Sequence, residues 1–268
     1  MAKHPFQTAI EDGVSREQLG AILDPDVTMW APLLTDPVRG RELVLDLLAE
    51  VAQVAAPITY SSQVADQNQT LLFWDGTVAG HPMQGVTILT DGTGGRIREI
   101  RAVLRPWPVV NLLVQAVRER IGDRFPATAW ELGPKAAGSR VFTPIALRSL
   151  PPAPDMVLHS PILAKAVTGG EEVAEAVRLA HQVQSESSYT CVIATPDRVI
   201  ELFDCDADGY PMEGIWDRRL NSDGQVTELS VYLRPFPAVT VLHFNAKTIA
   251  QRDGFLAGED YWELPDGG

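Results

Sequence analysis

The stretch RAVLRPWPVV at residues 101–110 returns at residues 230–239 as SVYLRPFPAV. In both places an aromatic residue stands between two prolines, and the copies lie 129 positions apart. Shifting the whole sequence against itself by 129 residues aligns residues 26–108 with residues 155–237 without a gap, and gives 22 identities in 83 positions. Similarity over that length indicates a duplicated domain, so the phrase marks a position in a scaffold.

The length of the chain agrees with a duplication. The 268 residues suit two domains of ordinary size, and a repeat of roughly 130 residues can bury its own core. We predict domains at residues 1–134 and 135–268, joined near the small, polar stretch GPKAAGS at residues 133–139. The second begins truncated, because FTPIALRSLPPAP at residues 142–154 carries four prolines where the first copy has opening helices. Shared pairs include Pro32/Pro161, Gly40/Gly169, Glu42/Glu171, Tyr60/Tyr189, Asp75/Asp204, Gly85/Gly214, Glu99/Glu228 and Arg105/Arg234.

Composition excludes several classes of protein. The chain has 35 acidic and 22 basic residues, and its formal charge of −13 opposes the phosphate contacts on which nucleic-acid binding depends. No apolar run approaches the ~18 residues of a membrane helix, and the start MAKHPFQTAI lacks a signal-peptide core. We expect a cytoplasmic protein with neither nucleic-acid nor membrane partners, in which Cys191 and Cys205 stay reduced.

The first copy reads as helices followed by strands. Ser15 and Gln18 form a capping-box pattern ahead of a short helix that ends near Asp24, and a brief strand follows at residues 27–30. The stretch GRELVLDLLAEVAQVA at residues 40–55 predicts the long helix, with an apolar face formed by Leu43, Leu47, Val51 and Val54. Four antiparallel strands are predicted in ITYSSQVA, QTLLFWDGTVA, MQGVTILT and GRIREIRAVLR, and a closing helix at residues 109–121.

This order of elements, ending in GRIREIRAVLRP and GQVTELSVYLRP, resembles the nuclear transport factor two-like fold, and within it the SnoaL-like domains. The phrases WAP at residues 30–32 and HSP at residues 159–161 add to the resemblance. It implies an α+β fold of two tandem cone-shaped domains, each a strongly curved antiparallel sheet packed on helices around an apolar pocket. Members include isomerases, polyketide cyclases, epoxide-opening enzymes and non-catalytic binding proteins, so the fold alone does not choose a function.

The resemblance also locates the acids that such enzymes use. Isomerases carry an aspartate before the proline that ends the first strand, where this chain has Ala31 and Ser160. Related hydrolases and cyclases carry one midway along the last strand, where this chain has Ala102 and Val231. A second isomerase acid falls on Thr87 and Trp216. The carboxylate is missing at each of these positions, which argues against the known mechanisms.

Alternation along the last strands predicts a pocket face and an outer face. In this superfamily the outer face commonly forms a dimer surface, so we expect the two domains to pack on each other about an internal pseudo-twofold axis, with Glu99, Glu228, Arg105 and Arg234 at that interface. The expected pocket-lining residues are Trp30, Ala31, Trp74, Thr87, Ile100, Ala102, Leu104, His159, Ser160, Trp216 and Val231.

Two acids remain as candidates on the middle strands. Asp75 beside Tyr60, or Asp204 beside Tyr189, would make an acid/base pair if the aspartate pointed into its pocket. The other interpretation is an aspartate that faces solvent. FDCDADGY at residues 203–210 imitates the start of a calcium loop, but Ile215 stands where the bidentate glutamate belongs, so we expect no metal and no cofactor.

Three hypotheses follow from these patterns. The preferred one is a protein that binds an apolar small molecule in the first domain, with the second domain mainly a built-in structural partner. The alternative is a polyketide cyclase, isomerase or epoxide-opening enzyme that uses Asp75 with Tyr60 or Asp204 with Tyr189. A purely structural partner protein is the third.

Overall fold

A computed structural model describes residues 2–136, 150–185 and 187–265 of the chain. The chain divides into two compact units, one formed by Met1–Leu104 with Val109–Glu131 and the other by Arg105–Pro108 with Leu132–Gly268. Four residues within the first copy of the repeated phrase, Arg105–Pro108, therefore belong to the second unit. Each unit is described below by itself.

The first unit begins with helices that the sequence caps at both starts. The His4 side chain accepts from the Phe6 backbone and Gln7 completes a capping box, while Ser15 accepts from the Gln18 backbone at 3.3 Å. Ser15 is thus the N-cap of the second helix, as the sequence predicts, but the Gln18 side chain donates to Asp12 Oδ2 at 3.5 Å and does not complete the capping box. The elements in order are α1 (Pro5–Glu11), α2 (Arg16–Ile22), β1 (Leu23–Trp30), β2 (Val38–Arg39), α3 (Arg41–Val54), β3 (Thr59–Asp66), β4 (Gln69–Val78), β5 (His81–Asp91), β6 (Ile97–Arg105) and α4 (Trp107–Ile121).

The long strands of the first unit form an antiparallel sheet in the order β3-β4-β5-β6. Strand β1 joins it by parallel pairing with β6, and β2 pairs with β1. A two-residue turn, Ala79-Gly80, connects β4 to β5 with φ of 49° and 81°. Positive φ at both turn positions matches the right-handed twist of the strands it joins.

Helix α3 buries a face slightly different from the predicted one. Its fully buried residues are Val44, Leu45, Leu47 and Leu48, whereas Leu43, Val51 and Val54 are only half-buried. So many apolar residues follow one another in this helix that the sequence allows several stripes, and packing against the sheet selects among them.

The second unit repeats the plan from its first described strand onward. Its elements are β7 (Pro152–His159), β8 (Val167–Thr168), α5 (Gly170–Val183), β9 (Ser188–Thr195), β10 (Arg198–Ala207), β11 (Tyr210–Leu220), β12 (Val226–Arg234) and α6 (Phe236–Asp253). The sheet order is β9-β10-β11-β12, with β7 parallel to β12 and β8 paired to β7. Most of residues 142–154, where the sequence argues against a helix, lie outside the described residues.

The α+β class is confirmed, since each unit packs a strongly curved antiparallel sheet on helices, as the SnoaL-like resemblance implies. The pseudo-twofold packing of the two domains stays a prediction. In the described part of the chain, no helix combines the length and hydropathy that crossing a bilayer requires.

Candidate functional site

Three neighbouring strands of the first unit place Tyr60, Trp74 and Gly85 side by side. Tyr60 lies directly opposite Trp74, and Trp74 lies directly opposite Gly85. Residues directly opposite each other in an antiparallel pair share one face of the sheet. We call this face, which looks toward the helices, the cavity face of the first sheet.

The cavity face and the helices enclose a cavity of about 50 Å³, called here the first cavity. Its wall is apolar apart from the hydroxyl groups of Tyr60 and Thr87, and neither a carboxylate nor a histidine occurs among its described lining residues. The lining consists of Phe6, Ile10, Met29, Ala31, Pro32, Leu33, Leu47, Leu48, Val51, Ala52, Ile58, Tyr60, Trp74, Thr87, Ile100, Ala102 and Leu104.

Neither hydroxyl group of the first cavity is placed to act as a base. The Trp74 Nε1–H donates to Thr87 Oγ1 at 3.1 Å, a buried hydrogen bond that fixes the indole. Burial raises the pKa of Tyr60 far above its ordinary value, and the Glu11 carboxylate raises it further. The phenol therefore stays protonated near neutral pH, so it can donate a hydrogen bond but cannot serve as a base.

The structure does not bring Asp75 to Tyr60. Asp75 follows Trp74 along β4, so its side chain lies on the opposite face of the sheet, where its Oδ1 accepts from Gln84 Nε2 at 2.6 Å. The proposed acid/base pair of Asp75 with Tyr60 is wrong, because strand alternation separates the two side chains.

The sequence also places Trp30 in the first cavity, but Met29 and Ala31 occupy the wall on either side of it. Alternation along β1 turns Trp30 to the other face, where its Nε1–H donates to Glu99 Oε2 at 3.3 Å. Of the expected lining residues of the first copy, those that do line the first cavity are Ala31, Trp74, Thr87, Ile100, Ala102 and Leu104.

The second unit encloses a cavity of the same size, about 50 Å³, called here the second cavity. Phe203, opposite Gly214, and Trp216, opposite Val231, define the cavity face of its sheet. The lining consists of Leu158, Ser160, Pro161, Ile162, Leu163, Ala176, Val177, Leu179, Ala180, His181, Gln184, Phe203, Trp216, Leu229, Val231, Leu233, Leu242, Ala246, Leu256 and Trp262. Ser160, Trp216 and Val231 are therefore in the wall, as expected from the sequence.

A different segment of chain closes the second cone. In the first unit Phe6 and Ile10 of α1 line the cavity, whereas in the second Leu256 and Trp262, which follow α6, do so. The Trp262 Nε1–H donates to the Leu256 carbonyl at 2.7 Å, which holds this closing segment together. A truncated start therefore does not leave the second cone without a cavity, and the argument for a merely structural second domain is lost.

His159 and Asp204 lie off the second cavity for the same reason as their counterparts in the first unit. Leu158 and Ser160 line the wall on either side of His159, whose Nε2 lies 3.4 Å from Glu228 Oε1. That contact with His159 lowers the pKa of the Glu228 carboxyl. Asp204 follows Phe203 along β10 and so shares a face with Ser188 rather than with Tyr189, which lies opposite Phe203. The acid/base pair of Asp204 with Tyr189 is wrong as well.

The segment at residues 203–210 that imitates the start of a calcium loop contains a turn between two strands. Asp208-Gly209 is the two-residue connection between β10 and β11, with φ of 51° and 81°. Asp206 Oδ1 accepts from the Gly209 backbone at 2.9 Å, and Lys135 Nζ lies 2.9 Å from Asp208 Oδ2. Among the described residues, no group of three or more His, Cys, Asp or Glu side chains is arranged to hold a metal ion.

Sequence reasoning missed a charged pair on the cavity face of the second sheet. Glu201 lies opposite Trp216 and Arg218 lies opposite Leu229, so both share the face that bears the second cavity. The two side chains form a salt bridge, and Glu201 is only 2% exposed. The Arg218 guanidinium stands 4.6 Å above the Trp216 ring. Burial lowers the pKa of Arg218, while its hydrogen bond to Tyr189 raises it.

The repeat itself carried the signal for this pair. At the matching positions the first copy has Leu72 and Leu89, both fully buried, so aligning the copies shows two charges where an apolar face is expected.

No protein-family model matches this chain, and no curated protein matches it. Solved structures resemble parts of it. A protein from Silicibacter pomeroyi, described as uncharacterized, conserved in bacteria and of cystatin-like fold, is 25% identical over 44% of this chain and 83% of its own, with a TM-score of 0.42. A steroid delta-isomerase from Pseudomonas aeruginosa is 21% identical over 44% of this chain and 88% of its own, also with a TM-score of 0.42. A nuclear transport factor two-like protein of unknown function from Cytophaga hutchinsonii is 15% identical over 40% of this chain and 88% of its own, with a TM-score of 0.33.

Proposed function

We propose that the first unit binds a small apolar molecule inside its cone and does not change it chemically. The observation that carries this proposal is the first cavity, whose described wall is apolar except for two hydroxyl groups. Transfer of apolar surface from water into such a space is favourable by roughly 25 cal/mol per Å². Binding would therefore be driven by burial of hydrocarbon rather than by a charged contact.

The volume restricts the ligand. Pockets for drug-sized molecules measure roughly 300–1,000 Å³, whereas the first cavity measures about 50 Å³. The ligand is accordingly a single small ring or a short branched chain, and any larger molecule has to displace side chains. Met29 is the most adaptable part of the wall, since its unbranched thioether side chain changes shape easily.

The described lining residues of the first cavity do not include the group on which catalysis of the isomerase or cyclase type depends. Such chemistry needs a positioned acid or base with a pKa near the working pH. Asp75 faces away from the first cavity, and Tyr60 is held in its protonated form by burial. The wall supports binding without proton transfer.

The test is titration of the full chain, labelled with ¹⁵N, with methylenecyclopentane. The Trp74 indole N–H lies in the wall and reports on the first cavity, and its resonance is assigned from Trp74→Phe. We expect this resonance to shift in a saturable way. Ala102→Val, which gives the first cavity the valine that the second has at Val231, should weaken binding about tenfold because it fills part of the space.

Val231→Ile is the matched control, since it adds one methylene to the second cavity and should leave the Trp74 titration unchanged. The proposal is wrong if the Trp74 resonance does not respond, or if Val231→Ile weakens its response as much as Ala102→Val does.

A further inference from the structure

The two copies differ in the same way at three aligned positions, two of which, Ala31 and Ala52, line the first cavity. Where the first copy has Ala31, Ala52 and Ala55, the second copy has polar residues. These are Ser160, His181 and Gln184, and all three line the second cavity. The difference is a consistent exchange of alanine for a side chain that forms hydrogen bonds.

Ser160 is the inner member of this group and the most constrained. It is 7% exposed, and its Oγ already accepts from the Ile162 backbone N–H at 3.2 Å. Because the oxygen accepts that bond, the one hydrogen of the hydroxyl group is the part that can donate to a ligand. A ligand atom that meets this hydroxyl must accept a hydrogen bond.

His181 and Gln184 come from the end of α5, where His181 is in the last turn and Gln184 is the C-cap. Residues three apart lie on the same side of a helix, which explains why both reach the same cavity. Each side chain has an N–H to donate. With Ser160 they give the second cavity three potential donors, and no carboxylate, lysine or arginine occurs among its described lining residues.

Two aromatic side chains, Phe203 and Trp216, form an apolar part of the wall. Trp216 stands T-shaped to Phe203 with ring centroids 6.0 Å apart, and the guanidinium of Arg218 lies 4.6 Å from the centroid of the Trp216 ring. The salt bridge from Arg218 to Glu201 fixes the cation in place. This wall suits the hydrocarbon body of a ligand, whereas the three polar residues suit a single neutral acceptor group.

We infer that the second cavity is a separate binding site for a small apolar molecule that carries a neutral hydrogen-bond acceptor, of which a ketone oxygen is the simplest example. The inference does not rest on ligand binding by the first unit. It assigns the second unit a ligand of different chemistry from that of the first.

The experiment compares two probes of the same shape, cyclopentanone and methylenecyclopentane, which differ only in C=O against C=CH₂. Both are titrated into the ¹⁵N-labelled full chain, with the Trp216 indole N–H as reporter for the second cavity and that of Trp74 for the first. The quantity of interest is the ratio of the two dissociation constants at each cavity. We expect the ratio to favour the ketone about tenfold more at the second cavity than at the first, the effect of one or two hydrogen bonds.

The triple variant Ser160→Ala, His181→Ala, Gln184→Ala gives the second copy the alanines that the first copy has at these positions. We expect it to lose the preference for the ketone while keeping its affinity for methylenecyclopentane, a combination that general loss of structure would not produce. Ser160→Thr, which keeps the hydroxyl, should retain most of the preference, and Ser160→Ala alone should lose about threefold of it.

Equal ratios at the two cavities of the wild-type protein would overturn the inference. So would a preference for the ketone that survives in the triple variant or, should that variant not fold, in Ser160→Ala. A silent Trp74 would contradict the proposal for the first unit and remove the first cavity as the reference. The ratio at Trp216 in the wild type against that in the triple variant would then decide this inference by itself.

Discussion

The indole of Trp74 occupies the space that a side chain at Gly85 would need. A Cβ atom at position 85 would overlap the six-membered part of the ring and crowd a methyl group of Leu104. The second unit repeats the relationship, since a Cβ at Gly214 would overlap the ring of Phe203. The shared glycine at positions 85 and 214 therefore leaves room for an aromatic ring from the neighbouring strand.

Gly85→Ala should accordingly destabilise the protein by about 1–3 kcal/mol, the usual cost of overpacking a core. Trp74→Leu combined with Gly85→Ala should cost less than the sum of the single changes, because the shorter side chain relieves the overlap. Unfolding in urea measures both. Gly20→Ala is the control: nothing lies within 4 Å of a Cβ at Gly20, inside α2, so we expect no loss of stability there.

The buried pair of Glu201 and Arg218 predicts an asymmetric response to mutation. Arg218→Leu leaves a carboxylate that is 2% exposed without its cation, and should lower the free energy of unfolding by about 3–5 kcal/mol. Glu201→Leu with Arg218→Leu gives the second unit the residues that the first has at Leu72 and Leu89, and should recover most of that loss. Urea titration of both variants makes the comparison. A double variant as unstable as the single one would show that the pair has a structural role beyond mutual neutralisation.

His243 should make the protein less stable in mild acid. Its ring is buried, stacks on Trp107 at 3.9 Å between centroids, and its Nδ1–H donates to the Ile162 carbonyl at 2.9 Å. Burial lowers the pKa of His243 to about 4. The charge of Lys247 also lowers this pKa, whereas the charge of Glu263 raises it. At pH values between the pKa of His243 in the unfolded chain and about 4, the unfolded chain binds a proton that the folded chain does not. Stability is therefore full above pH ~6.5 and falls as the pH drops toward 4.

The expected loss from His243 between pH 7.5 and pH 4.5 is about 2–3 kcal/mol. His243→Gln keeps a donor for the Ile162 carbonyl but does not titrate, so the difference in unfolding free energy between variant and wild type should change by that amount across the interval. Parallel curves for wild type and His243→Gln would contradict the prediction.

Asp75 and Asp204 should be dispensable for ligand binding. Both lie on the face of their sheet opposite to the cavity, so Asp75→Asn and Asp204→Asn should leave the Trp74 and Trp216 titrations unchanged within about twofold. A loss of binding in either variant, with the fold intact by circular dichroism, would mean that the strand register assigned here does not hold in solution.

The sequence predicts the order of elements well because each depends on local patterns. Ser15 caps a helix, prolines 106 and 235 end the last strands, and the repeat doubles every such signal. The face that a strand buries is harder to predict from the sequence than the order of the elements. Trp30 and His159 look like wall residues by size, yet alternation from Met29 and Leu158 puts both on the other face.

The gapless alignment of the two copies does not predict which segment closes the second cone. It depends on Leu256 and Trp262, which follow a helix of 18 residues where the first copy has one of 15. A segment that arrives from a different part of the chain leaves no trace in a gapless comparison. Glu201 and Arg218, by contrast, can be predicted from the sequence, because they are charged where the aligned residues of the first copy are leucines.

Trp107 stands in the first repeat by sequence, yet it belongs to the second unit, where its Nε1–H donates to Thr240 Oγ1 at 2.9 Å and its ring covers His243. A gene fragment that encodes only residues 135–268 would lack that ring, and the imidazole beneath it would meet water. The duplicated copies have thus lost the interchangeability with which a tandem duplication begins. The second repeat can no longer be inherited or transplanted by itself without four residues of the first, Arg105–Pro108.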